Sequence, residues 1–372
     1  MFTRKEYIES ELYEDIRYFA EGTSMKKTST SDSVDSHFNS GLNVAMAIDL
    51  GGTNLRIGIV NESGEVIQWK KQPTPKDHES IIQSIQALVE DELSVCTAAG
   101  YNVAGIGIST GGRVDFKRGI IVASTSLISG WKNIPLKEII ERRFNLPAFV
   151  DNDGNCFAVA EKHFGKGKRL DNFIAIVLGT GIGGGIYVDG RLLRGSNNFA
   201  SEIGHISIDA DGPECSCGGR GCIELFASGS GIARWASVNP LLQHLVSDRE
   251  ELSSKIISEA AKAGDPSASA LLKAAGWRLG VAMAGLVNVF NPESIIISGS
   301  LLELEHTYLD EFKKTVMQIA MKSNTRELRI DSSDFPQEGG ILGAAALAFE
   351  EVLIALNTNY GHDIDLDERM KR

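Results

Sequence analysis

From Val44 onward the chain alternates short aliphatic runs with stretches of helical periodicity, and its first pattern returns further along. Met46 to Ile67 reads as a strand, an Asp-Leu-Gly-Gly-Thr turn, a second strand, an Asn-Glu-Ser-Gly turn and a third strand. Ile174 to Leu193 follows the same plan, with Gly-Thr-Gly-Ile-Gly-Gly-Gly at the first turn and Asp-Gly at the second. Aliphatic runs bounded by turn residues are strand signals, and their recurrence marks an internal repeat. Glycine at the first turn of each unit costs backbone entropy, a cost without return unless something approaches the main chain closely. Phosphate is such a group.

Helical patterns follow each unit. Ile81, Ile82, Ile85, Leu88, Val89 and Val95 share one face, and a long run extends from Ala268 to Phe290. Val103 to Ile108, Ala148 to Val150 and Ser294 to Ile297 are short aliphatic runs of the kind buried under covering helices. A further helix is expected from Cys156 to Phe164, and a last one from Ile341 to about Leu356 after Gly339 and Gly340. These elements imply two α/β lobes: a first over residues 44–152, completed by the C-terminal helix at 340–356, and a second over 153–339. Ahead of them, residues 1–43 form an extension in which Ile8, Leu12, Ile16 and Phe19 mark a short amphipathic helix and the Ser- and Thr-rich stretch from 21 is a linker. Residues 357–372 read as a polar tail.

Composition narrows the possible partners. A net charge of −12 and a pI near 5.2 argue against a nucleic-acid or anionic-membrane surface, which needs clustered Lys and Arg. The N-terminus lacks the apolar core of a signal peptide, and no uninterrupted apolar run reaches the roughly 20 residues that span a bilayer, so a cytosolic location is expected. Of the five cysteines, Cys215, Cys217 and Cys222 crowd together shortly after His205, which is metal spacing rather than a disulfide framework. Three thiolates and one imidazole make a closed tetrahedral set, suited to a structural zinc ion that shapes the loop at 205–222. Cys96 and Cys156 read as small buried hydrophobes.

Asp49-Leu-Gly51-Gly52-Thr53-Asn54 lies between two strands, as a plain hairpin turn would; its amides and the Thr53 hydroxyl also suit anionic oxygens. The glycines from Gly179 through Gly185 offer a second row of unobstructed amides, and two such loops can clamp a triphosphate. Neither is a Walker motif, because no Gly-Lys-Ser or Gly-Lys-Thr follows. Between them stands Val150-Asp151-Asn152-Asp153-Gly154-Asn155, at a strand end where α/β proteins place chemistry. Either carboxylate could cap the next helix. Two Asp and two Asn in five residues exceed capping needs, and phosphoryl transfer to a sugar wants one Asp as base and an adjacent Asn to hold the hydroxyl. Glu202 and Glu224 flank the metal loop and are candidates for holding sugar hydroxyls.

These motifs, in this order, resemble the ROK family of sugar kinases and repressors, within the superfamily of hexokinase, actin and the heat-shock chaperone ATPases. The resemblance runs from Val44 to Leu356 and includes Glu202-x-Gly-His205 followed by Cys-x-Cys-Gly-x-x-Gly-Cys-x-Glu. Gly107-Ile-Ser-Thr-Gly-Gly-Arg113-Val and His163-Phe-Gly-Lys-Gly-Lys are similar to the N-acetylmannosamine kinase half of the animal bifunctional enzyme of sialic acid synthesis. The resemblance implies an α/β, two-lobed actin/hexokinase-like (ribonuclease H-like) fold with a cleft between the lobes and a structural zinc loop. It implies Asp153 as catalytic base, with Asn152, Gly112, Arg113, Thr125, Glu202, His205 and Glu224 around the sugar. Gly51, Gly52, Thr53 and Asn54, with Gly179, Thr180 and Gly181, would contact ATP phosphates, Asp49 would lie near Mg²⁺, and Gly299 would face the adenosine. His205, Cys215, Cys217 and Cys222 would hold zinc.

The implied reaction is ATP-dependent phosphorylation of N-acetylmannosamine at its 6-hydroxyl, by a homodimer. Glucokinase, N-acetylglucosamine kinase and a non-catalytic sugar sensor are the rival readings. The epimerase half of the animal enzyme has no counterpart in these residues. The extension is too short and polar for the winged helix of the family's repressors, so no DNA-binding role is expected.

Overall fold

The computed structural model describes residues 42–123, 130–245, 252–304, 306–335 and 338–369, and side chains as far as residue 354. The expected N-terminal helix, nearly all of the linker and Thr125 lie outside the described residues. The first repeat unit is a meander of β1 (Asn43–Leu50), β2 (Asn54–Asn61) and β3 (Val66–Pro73). Helix α1 (His78–Ala99) follows, started by the Asp77 carboxylate on the Ser80 N–H and stopped by Gly100 in the left-handed conformation. Then come β4 (Asn102–Thr110), a hairpin of β5 (Arg113–Asp115) and β6 (Ile120–Ala123), α2 (Leu136–Phe144) and β7 (Ala148–Asn152). The strands order as β3-β2-β1-β4-β7, with β2 and β3 antiparallel neighbours and β4 and β7 parallel to β1.

Helix α3 (Asp153–His163) leads into the second unit, β8 (Phe173–Leu178), β9 (Ile182–Val188) and β10 (Arg191–Leu192). Short helices α4 (Glu224–Ala227), α5 (Gly229–Ser237) and α6 (Ser254–Lys262) precede the long α7 (Pro266–Phe290). β11 (Ser294–Ser298), α8 (His306–Ile319), α9 (Lys322–Thr325), β12 (Arg329–Ser332) and α10 (Gly339–Arg369) complete the chain. The second sheet runs β10-β9-β8-β11-β12. It repeats the first strand for strand: a three-stranded antiparallel meander, then two parallel neighbours. The molecule is an α/β protein of the two-lobed actin/hexokinase-like class.

Each lobe buries its own aliphatic core. Ile48, Ile57, Ile85, Ile106 and Val150 belong to the first, and Ile176, Leu272, Ile295 and Phe312 to the second. Helix α7 is the one described helix long and apolar enough by composition to cross a membrane, and half of that stretch is buried inside the second core. Between the sheets lie α3 and α10. Ala160 of α3 and Ala344, Ala345 and Ala348 of α10 pack on Ala45 and Ala47 of the first sheet, while Phe157, Ala158 and Ala346 pack with Phe173, Ala175 and Ile296 of the second. Small residues permit this: a Cβ on Gly107 would stand 1.7 Å from the Ala344 carbonyl oxygen, a distance no side chain tolerates.

Three elements depart from the sequence reading. Helix α3 begins at Asp153 rather than Cys156, because Asn152 caps it. Helix α10 runs to Arg369, through the stretch read as a polar tail, since no proline interrupts it. Gly183, Gly184 and Gly185, read as part of a phosphate loop, are strand residues of β9.

Candidate active site and metal centre

In the first sheet Leu50, Thr110 and Asn152 are register partners along β1, β4 and β7. The Gly51–Thr53 turn, the Gly111–Arg113 bend and Asp153 therefore emerge at one edge of the sheet, the carboxyl-end crevice where α/β proteins bind ligands. In the second sheet Ser298 pairs with Val177, which sets Gly299 beside the Gly179–Gly181 turn. A Cβ on Gly299, whose φ is 105°, would meet the Leu178 carbonyl oxygen at 2.3 Å, so only glycine fits there.

Each glycine turn is closed by one backbone hydrogen bond. The Gly51 N–H bonds the Asn54 carbonyl at 3.0 Å, and the Gly179 N–H bonds the Gly181 carbonyl at 3.0 Å. Among the described residues the amides of Gly52, Thr53, Thr180 and Gly181 make no backbone hydrogen bond. Gly52, Thr53 and Thr180 are exposed. Open amides on paired turns form concave sites for anionic oxygens. The carbonyls of Gly179 and Thr180 accept from the Gly229 and Ser230 N–H groups of α5, which fixes the second turn. Gly184 and Gly185 serve packing: a Cβ on Gly154 would lie 2.4 Å from the Gly184 nitrogen, and one on Gly185 would lie 2.6 Å from the Ala158 Cβ. They let α3 rest directly on β9.

That close approach brings Asp153 between the lobes. A Cβ on Gly111 of the first lobe would be 3.9 Å from its Oδ2, and one on Gly183 of the second would be 4.0 Å from its Oδ1. Open to the cleft but ringed by protein, the Asp153 carboxyl is pushed up to about 6, first by lost hydration and then by the charges of Asp49 and Glu202, against the Gly154 N–H that lowers it. Asn152 caps α3, its Oδ1 accepting from the Gly154 N–H at 2.8 Å, while its Nδ2 donates to the Gly112 carbonyl at 2.9 Å. One hydrogen of that amide is thus committed to Gly112. Asp49, at the end of β1, lies 3.8 Å from Arg56 Nη1, and burial pushes its carboxyl up. A Cβ on Gly340 would be 2.5 Å from the Asp49 Cγ, so the carboxylate sits against the start of α10.

Opposite Asp153 stand the residues flanking the metal loop. Burial raises the Glu202 pKa, His205 and Arg113 lower it, and Glu224 raises it. Arg113 from the first lobe and Glu202, His205 and Glu224 from the second therefore share one electrostatic neighbourhood. One oxygen of Glu224 accepts from the Ile182 N–H at 2.9 Å, tying the metal loop to the second glycine turn. Sequence reasoning missed this bond and missed Arg194, whose guanidinium pairs with the buried Asp151. Arg194 belongs to no motif, and only the tertiary crossing shows its partner.

His205, Cys215, Cys217 and Cys222 present four ligand atoms within 4.8 Å of one another. Cys215 Sγ lies 3.6 Å from His205 Nδ1, and Cys217 Sγ lies 3.6 Å from Cys222 Sγ. A tetrahedron drawn with Zn–S bonds of ~2.3 Å has edges of about 3.8 Å, so the donor set fits zinc in size and chemistry. Left-handed Gly218 and Gly221 turn the chain around this point. A shallow depression elsewhere, lined by Glu90, Leu93, Thr97, Arg143 and Phe144, carries no comparable chemistry.

The sequence profile of the ROK family matches residues 45–351. The chain belongs to the ROK family. A glucokinase of Thermotoga maritima is 31% identical over 82% of this ROK protein and 98% of its own length. A xylose repressor of Caldicellulosiruptor bescii is 30% identical over 83% of the chain and 78% of its own length. Among solved structures, the ROK glucokinase of Streptomyces griseus, in complex with glucose and AMPPNP, superposes with a TM-score of 0.69 at 32% identity, covering 82% of this chain and 99% of that one. A Listeria monocytogenes structure titled "Lmo2764 protein, a putative N-acetylmannosamine kinase" does so at 0.68 and 27%, covering 83% and 99%. Proteins named as glucokinases and as xylose repressors thus lie at similar identity to this chain.

Proposed function

We propose that this ROK protein is an ATP-dependent sugar kinase that phosphorylates N-acetylmannosamine at the 6-hydroxyl, with Asp153 as general base. The observation that carries the kinase reading is the place of Asp153, whose carboxylate lies between Gly111 of the first sheet's edge and Gly183 of β9. A base poised near the working pH both stays ionised and accepts a proton well. The sugar oxygen attacks the γ-phosphorus, its proton passes to Asp153, the bond to the β-phosphate oxygen breaks, and ADP leaves. Gly52, Thr53, Thr180 and Gly181 would hold the phosphates through their amides, and Gly51, Asn54, Gly179 and Gly299 shape those turns. Magnesium bound with ATP would offset phosphate charge, and Asp49 is the carboxylate beside the first turn that would hold it. The sugar would contact Gly112, Arg113, Asn152, Glu202, His205 and Glu224, with zinc on His205, Cys215, Cys217 and Cys222 bracing that wall.

The Arg113 segment and the Listeria structure's name support N-acetylmannosamine; the glucokinase relatives support glucose as the rival substrate. ADP release measured with N-acetylmannosamine, N-acetylglucosamine and glucose separates them. N-acetylmannosamine should give the highest kcat/KM. A higher value for glucose or N-acetylglucosamine overturns the substrate while leaving the kinase. No transfer to any hexose makes the chain a sugar sensor. The proposal includes a cytosolic homodimer, and a monomer mass in sedimentation contradicts that part.

A further inference from the structure

Asp151 is fully buried, and each of its carboxylate oxygens is engaged. Oδ1 accepts from the Asn152 N–H at 2.8 Å and from Asn155 Nδ2 at 3.0 Å, and Oδ2 accepts from Arg194 Nη1. A buried polar group needs such partners to offset its lost hydration, so Arg194 and Asp151 form one unit. The two come from different sheets. Asp151 is the penultimate residue of β7 in the first, while Arg194 follows β10 in the second, anchored by the Leu193 N–H on the Ile186 carbonyl at 2.8 Å.

The Arg194 guanidinium also stacks on Phe116, 3.4 Å from the ring centroid. Its segment closes on itself through the Ala200 N–H and the Arg194 carbonyl, and Asn198 Nδ2 reaches Asp115 Oδ1 at 3.3 Å. Phe116 and Asp115 belong to the hairpin that opens with Arg113. One side chain thus joins the second sheet, the β7–α3 junction and the hairpin bearing a proposed sugar contact.

We propose that Arg194 is a positioning residue, a strut between the lobes that holds Asp151 and thereby aims Asn152 and Asp153 at the sugar hydroxyl. The inference rests on Asp153 being the base of a sugar kinase. A planar cation is needed: lysine would keep the charge but lose the stacking on Phe116. Asp153 is faced by Asp49 from β1 and by Glu202 from the segment before the metal loop, with Arg113 from β5 beyond Glu202. Cys156, one turn along α3, experiences the charges of Asp151, Asp153 and Arg194 together. Unpairing Asp151 adds uncompensated negative charge to that group.

The test is steady-state phosphoryl transfer by Arg194→Met, Arg194→Lys and the double variant Asp151→Asn/Arg194→Met, across pH. Arg194→Met should lose about 10²-fold in kcat, as a misplaced base does. Its KM for ATP should change little, and the acid limb of its kcat/KM profile should move up by on the order of one pH unit. Arg194→Lys should keep the wild-type limb and lose about 10-fold in kcat. The double variant, which leaves no unpaired buried charge, should restore the limb but not kcat, and it carries the test if Arg194→Met fails to fold. Wild-type kcat and pH profile in Arg194→Met or in the double variant, with only a lower Tm, overturn the proposal and leave the pair purely structural. An inactive wild-type protein would instead bring down the kinase reading on which it rests.

Discussion

Asp153 is where sequence and structure meet most directly, and its environment sets its pH behaviour. Its carboxyl is held at about 6, so kcat/KM should fall with unit slope below about pH 6, and an acid limb centred below pH 5 would contradict that environment. Stability follows with the opposite sense. Because the folded-state pKa exceeds the usual carboxylate value near 3.8, the native state binds the extra proton between those values, and stability falls as pH rises through that window. Asp153→Asn should therefore melt at or above the wild-type temperature at pH 7 and lose that advantage at pH 4; scanning calorimetry at both pH values decides this. Asp153 could be proposed from the sequence because a strand end followed by Asp-Asn-Asp is a local signal. Arg194 could not, nor could the Glu224 bond to Ile182, because each is defined by a contact between segments far apart in the chain.

At the scale of elements, glycine was legible as special but not in which way. At both turns the backbone is open, and the Gly52 and Gly181 amides make no backbone hydrogen bond. Gly184 and Gly185 look the same in the sequence and do something else, letting α3 lie on β9. Periodicity cannot separate the two uses, since both need the absence of a side chain. The distinction is testable through Gly154→Ala, whose Cβ would press on the Gly184 backbone 2.4 Å away. It should cost about 1–3 kcal/mol in denaturant unfolding. It should also lower kcat, because the start of α3 carries Asp153. Unchanged stability and turnover would mean that the helix does not rest on the strand. The capped starts of α1, α3 and α7 at Asp77, Asn152 and Asp265 follow ordinary helix signals. The β5–β6 hairpin gave none strong enough to mark it in advance.

Over the whole molecule, the internal repeat was the most legible feature, because each meander is local and each sheet completes it with strands of plain aliphatic character. What the pattern left out is how the halves meet: α3 and α10 lie back to back between the sheets, through contacts such as Gly107 to Ala344 and Gly343 to Cys156. The His205–Cys222 cluster acts at the same scale, since Glu202 and Glu224 flank it and Glu202 lies close enough to raise the Asp153 pKa. Elemental analysis should find one zinc per chain in protein purified without chelator. Cys222→Ser should lose the metal, lower Tm by roughly 5 °C or more and raise the sugar KM. Substoichiometric metal in the wild-type protein would contradict the assignment. The most direct test of the central claim is the rate at which labelled γ-phosphate passes from ATP to N-acetylmannosamine in wild type and in Asp153→Asn at pH 7.5. Base catalysis by Asp153 predicts a loss of at least about 10²-fold with sugar binding retained, and transfer at the wild-type rate would contradict it.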